Sequence, residues 1–308
     1  MDGTATRTAT PVLLLAFNRP EPTRRVLERI ADAGVGRLYV AIDGPRPGRP
    51  GEAERCEQVA ALVDERRWAD EIHVRRRDAN LGCKDGVTNG LDWFFGHEPE
   101  GIVLEDDCLP GTDFFGFCDQ MLASYRADDR VWLVSGDNLL QSWRPRRSDW
   151  FFGDGGIWGW ASWADCWRRR DIAMTSWHDP AARERARAFL GPFGWRHLAP
   201  RYAEVATGSV DTWDYQWSWT RASHGGLSVI PARNLVTNIG FGSGATHTSE
   251  GSRFSDLPTG RLGDRLRPPP AVAFDRGYQH RLLLEETAGR LMARARRAIQ
   301  WRPRGGES

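Results

Sequence analysis

The chain opens with an alternation of short apolar runs and amphipathic stretches. Residues 11–17, PVLLLAF, form a continuous apolar run of the length expected for a buried parallel strand. PEPTRRVLERIADAG follows, with Val26, Leu27, Ile30 and Ala31 on one helical face and Pro20 and Pro22 near its start. Residues 37–43, RLYVAID, predict a second strand, ending at Asp43 before the Gly- and Pro-rich loop GPRPGRPGE. A helix at 52–67 and a strand at 71–76 come next, then a glycine-bearing loop and helix in NLGCKDGVTNGLDWFF. GIVLED, 101–106, predicts a fourth strand and VWLVSG, 131–136, a fifth. Between them Phe114, Cys118, Met121, Leu122 and Tyr125 recur at helical spacing.

This pattern predicts an α/β fold, an open sheet with crossover helices. In such folds ligands sit at the carboxyl ends of the strands. Three strand ends are polar: FNRP at 17–20, IDG at 42–44 and EDD at 105–107. The second half differs. Residues 143–219 are rich in Trp, Gly and Arg, with helical patches at 180–190 and 195–206. Beyond 250 the chain reads as loop, and it closes in a basic helical stretch at 281–303. No internal repeat is visible.

Composition narrows the classes. With 42 Lys+Arg against 41 Asp+Glu in 308 residues, net charge +1 gives no push towards nucleic acid. No apolar run approaches the roughly 18 residues that would span a membrane. The start, MDGTATRTATPVLLLAF, turns directly into NRPEP and reads as a first strand rather than a secretory leader. Five scattered cysteines without a CxxC or Cys/His cluster suggest neither zinc nor a disulfide framework, and a cytoplasmic setting is expected. There are 15 Trp against 5 Tyr, most of the tryptophans between 132 and 219.

The chemistry concentrates at Glu105, Asp106 and Asp107. Adjacent carboxylates repel, so water, basic side chains or a hard divalent cation must compensate them. On an extended chain Glu105 and Asp107 share one side and Asp106 takes the other, so one ion is not expected to be held by all three. The expected division is one carboxylate on Mn²⁺ or Mg²⁺, with phosphates supplying most other oxygens, and another on ligand hydroxyls. The bland alternative is a solvated acidic turn at the start of the next helix.

LEDDCLPGTDFFGF resembles the acidic motif of GT-A glycosyltransferases, most of all the N-acetylglucosaminyltransferase I type. VLLLAFNRPEPTRRVLERI, VAIDG, GIWGWASWADCW, TWDYQW and NIGFGSGATHT resemble further segments of that type in the same order, across about 11–250. The chain also resembles uncharacterised bacterial sugar-nucleotide transferases. The resemblance implies a GT-A, Rossmann-like nucleotide-diphospho-sugar transferase fold, with a mixed central sheet flanked by helices. It implies a metal-dependent, inverting transfer from a nucleotide-diphosphate donor, UDP-sugar favoured, to a hydroxyl of a glycan, lipid-linked or small-molecule acceptor. Asp107 would coordinate the metal, Asp106 face ribose or sugar hydroxyls, Glu105 the donor sugar, and Arg19 and Asp43 hold the nucleotide. The loop after Asp43 departs from the family pattern, which leaves the base open. The corresponding division is a catalytic domain at 1–250, with a nucleotide-binding part at 11–140 and an acceptor-side part at 141–250, then a tail at 251–308.

Other residues carry paired readings. Asp214 follows a Trp in DTWDYQW and suits a general base; otherwise it sits on an exposed helical face. Asp211 is acceptor-side or a helix cap. His247, among flexible glycines, completes the metal shell or is an ordinary loop histidine. Lys84 neutralises phosphate or lies on the surface, with Asn80 and Gly82 shaping its loop. Trp158 and Trp160, beside Gly156 and Gly159, line an acceptor site, while most other tryptophans are core. Cys108 is structural. The basic tail helix packs on the domain or lies on an anionic membrane. A sugar nucleotidyltransferase and a non-catalytic sugar-binding protein are the competing classes. The first would carry a Gly-rich basic loop after the first strand, which FNRPEP lacks.

Overall fold

A computed structural model describes residues 7–300 except 142, 144–147, 241–253, 255 and 264, with side chains described as far as 289. The first half runs β1 (Val12–Ala16), α1 (Pro20–Asp32), β2 (Arg37–Ile42), α2 (Glu52–Glu65), β3 (Glu71–Arg76), α3 (Gly82–His97) and β4 (Glu100–Glu105). Then come β5 (Cys108–Pro110), α4 (Phe114–Tyr125), β6 (Val131–Ser135), β7 (Trp150–Gly153), β8 (Trp160–Trp163) and α5 (Ala164–Trp167). The remainder is α6 (Pro180–Ala206), α7 (Asp214–His224), β9 (Leu227–Pro231), β10 (Val236–Asn238) and α8 (Arg276–Gln300).

Eight strands form a mixed sheet in the order β3-β2-β1-β4-β8-β6-β9-β7, and β10 pairs with β5 in a separate ribbon. The mixed α/β sheet flanked by helices agrees with the fold class expected from the sequence. β1, β2, β3 and β4 are mutually parallel, with Leu15 opposite Glu105 across the β1–β4 pair. β1 is buried throughout because both faces are covered. Val12, Leu14 and Ala16 join the core under α1, α2 and α4, whereas Leu13 and Leu15 face α3 and α7. In α1, Pro20 tolerates the first helical position, and Thr23, Val26, Leu27 and Ile30 form the buried stripe.

Three features differ from the sequence expectation. WASW, at 160–163, is a strand inserted antiparallel between β4 and β6. The two helical patches at 180–190 and 195–206 join as α6, broken at Gly191, whose φ of 71° is left-handed just before Pro192. The tail helix begins at Arg276, earlier than expected, and Tyr278 and Leu282 pack against Phe151 and Ile230. Among the described residues no helix is long and apolar enough to cross a membrane. The tail arginines from 290 onward lie outside the described side chains.

Candidate active site

The parallel strands end at a cleft of 760 Å³, lined among others by Arg19, Asp43, Glu105, Asp106, Asp107, Trp158, Asp211 and Asp214. One floor of it is made by the turn that leaves β1. There Phe17 N donates to Asp106 Oδ2 at 3.2 Å, and the Arg19 side chain reaches to the residues just past the end of β4. Arg19 Nη1 donates to Asp107 Oδ2 at 2.7 Å, and its Nη2 donates to Asp106 Oδ1. One guanidinium therefore bridges two of the three adjacent acids, the basic compensation that their sequence demands. Asp106 is 2% exposed, and both its oxygens are engaged within the protein, so the structure offers it little freedom to meet hydroxyls.

Three carboxylates facing one guanidinium leave an excess of negative charge. Burial, then Asp107 and Asp106, push the Glu105 carboxyl up to about 8. Burial raises Asp106 to about 6 against the pull of Arg19. Burial opposes the Arg19 charge, but the two aspartates outweigh it and hold the guanidinium more firmly protonated. A carboxyl with a raised native pKa favours folding while protonated, so this contribution is complete below 4.5 and is lost as pH rises to about 8. We expect urea midpoints of the free protein to fall across that window, and Glu105→Gln to flatten the slope. An unchanged slope in the variant would assign the pH dependence to other groups.

Asp43 ends β2 and organises the loop before α3. It accepts from Gly44 N at 2.9 Å, Asn80 Nδ2 at 2.8 Å and Leu81 N at 3.1 Å. Gly82 follows with φ 84°, a left-handed geometry that suits glycine. Asp211 caps a helix, but not its own: it accepts from Cys83 N at 3.0 Å and Lys84 N at 2.9 Å at the start of α3. It thereby ties the 210–214 lip to the 80–84 loop. Lys84 is outside the cleft lining, with Nζ 3.9 Å from Asp85. Cys108 is fully buried, and burial pushes its thiol well above the ordinary value, the setting of a structural cysteine.

The opposite wall carries the loop after β7. Asp137, 2% exposed, accepts from Ser135 Oγ at 3.1 Å and from Trp158 N at 3.2 Å. Buried Arg221 supports the same loop through Gly155 O at 3.2 Å and Asp154 Oδ1 at 3.1 Å. This polar frame, which sequence reading missed, sets Trp158 on the cleft wall. A Cβ on Gly156 would lie 2.2 Å from Asp137 Oδ2. Gly156→Ala is expected to cost about 1–3 kcal/mol in urea unfolding, as overpacking does; a loss below about 0.5 kcal/mol would mean that the loop moves aside freely.

Trp160 is a correction to the acceptor-side expectation. It is 1% exposed and packs against Trp213, Trp217 and Phe95, backing the cleft instead of lining it. Its place on β8 turns it into the core beneath α7. Asp214 stands at the first turn of α7 on the cleft wall. Its Oδ1 accepts from Tyr215 N at 2.8 Å and from Thr212 Oγ1. Among the described residues nothing donates to Oδ2, so one oxygen is anchored and the other available. His247 lies outside the described residues.

Among the described residues no group of three His, Cys, Asp or Glu side chains is arranged to hold a metal ion. The donor set fits a cation that takes one carboxylate from the protein and its other oxygens from a bound phosphate. Asp107 lines the cleft, and its Oδ1 has only the weak Cys108 Sγ contact at 3.6 Å, while the triplet retains excess negative charge.

Arg75, Arg77 and Asn89 also line the cleft and were not singled out from the sequence. The available signal was the run Arg75–Arg76–Arg77 at the end of a strand, where alternation places 75 and 77 on one face.

No protein-family model and no curated protein matches the chain. Among solved structures, the apo form of mouse xyloside xylosyltransferase 1 is similar at 11% identity, over 68% of this chain and 80% of that chain, with a TM-score of 0.32. So loose an overlap carries no argument about activity.

Proposed function

We propose that this protein is a metal-dependent glycosyltransferase of the GT-A type. It moves a sugar from a nucleotide-diphosphate donor, a UDP-sugar being favoured, to a hydroxyl acceptor with inversion. The observation that carries the reading is convergence: Arg19, Asp43, the Glu105–Asp107 triplet, Trp158 and Asp214 meet in one cleft at the carboxyl ends of parallel strands. An acidic turn serving only as a helix start would not need Arg19 drawn to it from the end of β1.

Asp107, with Mn²⁺ or Mg²⁺, would hold the donor diphosphate. When bound, the metal would supply Lewis-acid neutralisation of the diphosphate charge. Arg19 keeps Asp106 and Asp107 in place and adds positive charge beside the diphosphate. Glu105, at the end of β4, meets hydroxyls of the donor sugar. Trp158 offers its ring to an acceptor face. Asp214 Oδ2 takes the proton of the acceptor hydroxyl while that oxygen bonds to the anomeric carbon. The bond from that carbon to the phosphate oxygen breaks, and its electron pair leaves with the nucleoside diphosphate.

The test is a panel of UDP-, GDP-, dTDP- and ADP-sugars with Mn²⁺ and with EDTA, reading nucleoside diphosphate release with simple glycoside acceptors. Release that needs both metal and acceptor supports the reading. Metal-dependent binding without turnover on any donor would move the protein to the sugar-binding class. Formation of a nucleotide sugar from nucleoside triphosphate and sugar phosphate would move it to the nucleotidyltransferases.

A further inference from the structure

Among the described residues four arginines line the cleft: Arg19, Arg46, Arg75 and Arg77. Two are neutralised by carboxylates. Arg19 holds Asp106 and Asp107, and Arg46 holds buried Glu52 through both its Nε and Nη2. Arg75 and Arg77 differ. Arg75 Nη1 donates to Asn89 Oδ1 at 3.3 Å, and Arg77 Nη2 donates to the same oxygen. Neither forms a carboxylate ion pair among the described residues. The intervening Arg76 points the other way and pairs with Asp64 of α2. Asp43, on the neighbouring strand, has its oxygens engaged by Gly44, Asn80 and Leu81.

Two guanidiniums drawn to one neutral oxygen repel each other; Asp43 acts on Arg77 electrostatically from beyond ion-pair distance, and among the described residues no carboxylate pairs directly with either guanidinium. The geometry is also held in place. The Arg75 guanidinium lies 5.2 Å from the centre of the Trp93 ring, a cation–π contact that supports it against α3. Asn89 and Trp93 share one face of α3, four residues apart. Two neighbouring guanidiniums without a direct ion-pair partner among the described residues, on a cleft wall, suit bidentate binding of a tetrahedral or planar oxyanion.

We propose that Arg75 and Arg77, braced by Asn89 and Trp93, form an anion subsite at the β3 end of the cleft for a phosphate or carboxylate group. β3 and β4 are separated by β2 and β1, three strand spacings or about 14 Å between their backbones, so this subsite and the acidic triplet stand on strands that are not neighbours. It is thus separate from the position that the proposed reaction assigns to the donor diphosphate. A ligand filling both carries a second anionic group at its far end, or two ligands share the cleft.

The test is a ³¹P NMR titration of inorganic phosphate with the full-length protein in buffer freed of metal by a chelating resin, without nucleotide. Its outcome therefore does not depend on the glycosyltransferase reading. Saturable binding is expected, weakened at least tenfold in Arg77→Met and in Arg75→Met. Arg77→Lys, which keeps the charge and the fold but loses the fork, should fall between. Displacement of phosphate by acetate would show that the subsite takes carboxylates as well; resistance to acetate would restrict it to phosphate. Circular dichroism midpoints within a few degrees of the parent identify folded variants. Absence of saturable binding to the parent, or equal binding by the folded Arg77→Lys and Arg77→Met proteins and the parent, would overturn the proposal.

Discussion

Asp107→Ala is expected to weaken Mn²⁺-dependent UDP binding by at least 100-fold, about 2.7 kcal/mol, in calorimetric titration. The argument rests on what each acid can still offer. Asp106 is buried, with one oxygen on Arg19 and the other on the Phe17 amide. Burial and its acidic neighbours favour the protonated form of Glu105, which suits it less to a hard cation. Asp107 lines the cleft with Oδ1 lightly engaged, which makes it the carboxylate best placed for a hard cation. Removing it should leave UDP binding no stronger with Mn²⁺ than with EDTA. Asp107→Asn, close in shape, separates this effect from disruption of the Arg19 bridge: it keeps an acceptor for Arg19 and loses the charge. If both variants retain metal-dependent binding, the nucleotide is held elsewhere and the acidic triplet is a structural turn.

Asp214→Asn is expected to lower kcat by about 10²–10⁴-fold with little change in the donor KM, the usual scale for loss of a general base. The substitution keeps an oxygen for the Tyr215 amide and Thr212 hydroxyl, so the start of α7 should fold as before. It removes the basic Oδ2 that would receive the acceptor proton. Donor hydrolysis in the absence of acceptor should fall less than transfer, because water needs no positioned acceptor hydroxyl. A transfer rate within threefold of the parent would take the base role from Asp214 and direct attention to other groups on the same wall.

Much of this cleft was legible in the sequence. The runs at 11–17, 37–43 and 101–106 are buried on both faces, so local hydropathy alone marks them as parallel strands, and their polar ends mark one edge of the sheet. Other parts were hidden. WASW is only four residues long and uniformly buried, and nothing local distinguishes it from a helix fragment or a loop. Its neighbours, β4 and β6, were needed to make it a strand and to turn Trp160 into the core. Asp211 gave a local signal for capping, yet the Cys83 amide that it caps lies 128 positions earlier. The Asp137 and Arg221 frame around Trp158 is likewise assembled from segments far apart in the chain.

By itself, the sequence determined where strands end and which polar side chains stand there, because backbone alternation and apolar runs are local properties. Only the tertiary structure decided which of those charges are neutralised. The β1–β4 register places Leu15 opposite Glu105, and that alignment brings Arg19 onto Asp106 and Asp107, almost ninety residues away. Among the described residues no carboxylate forms a direct ion pair with Arg75 or Arg77, although Asp43 acts on Arg77 at longer range. Coulomb energies depend on distance in space and on burial, and neither is written in the spacing of residues along the chain.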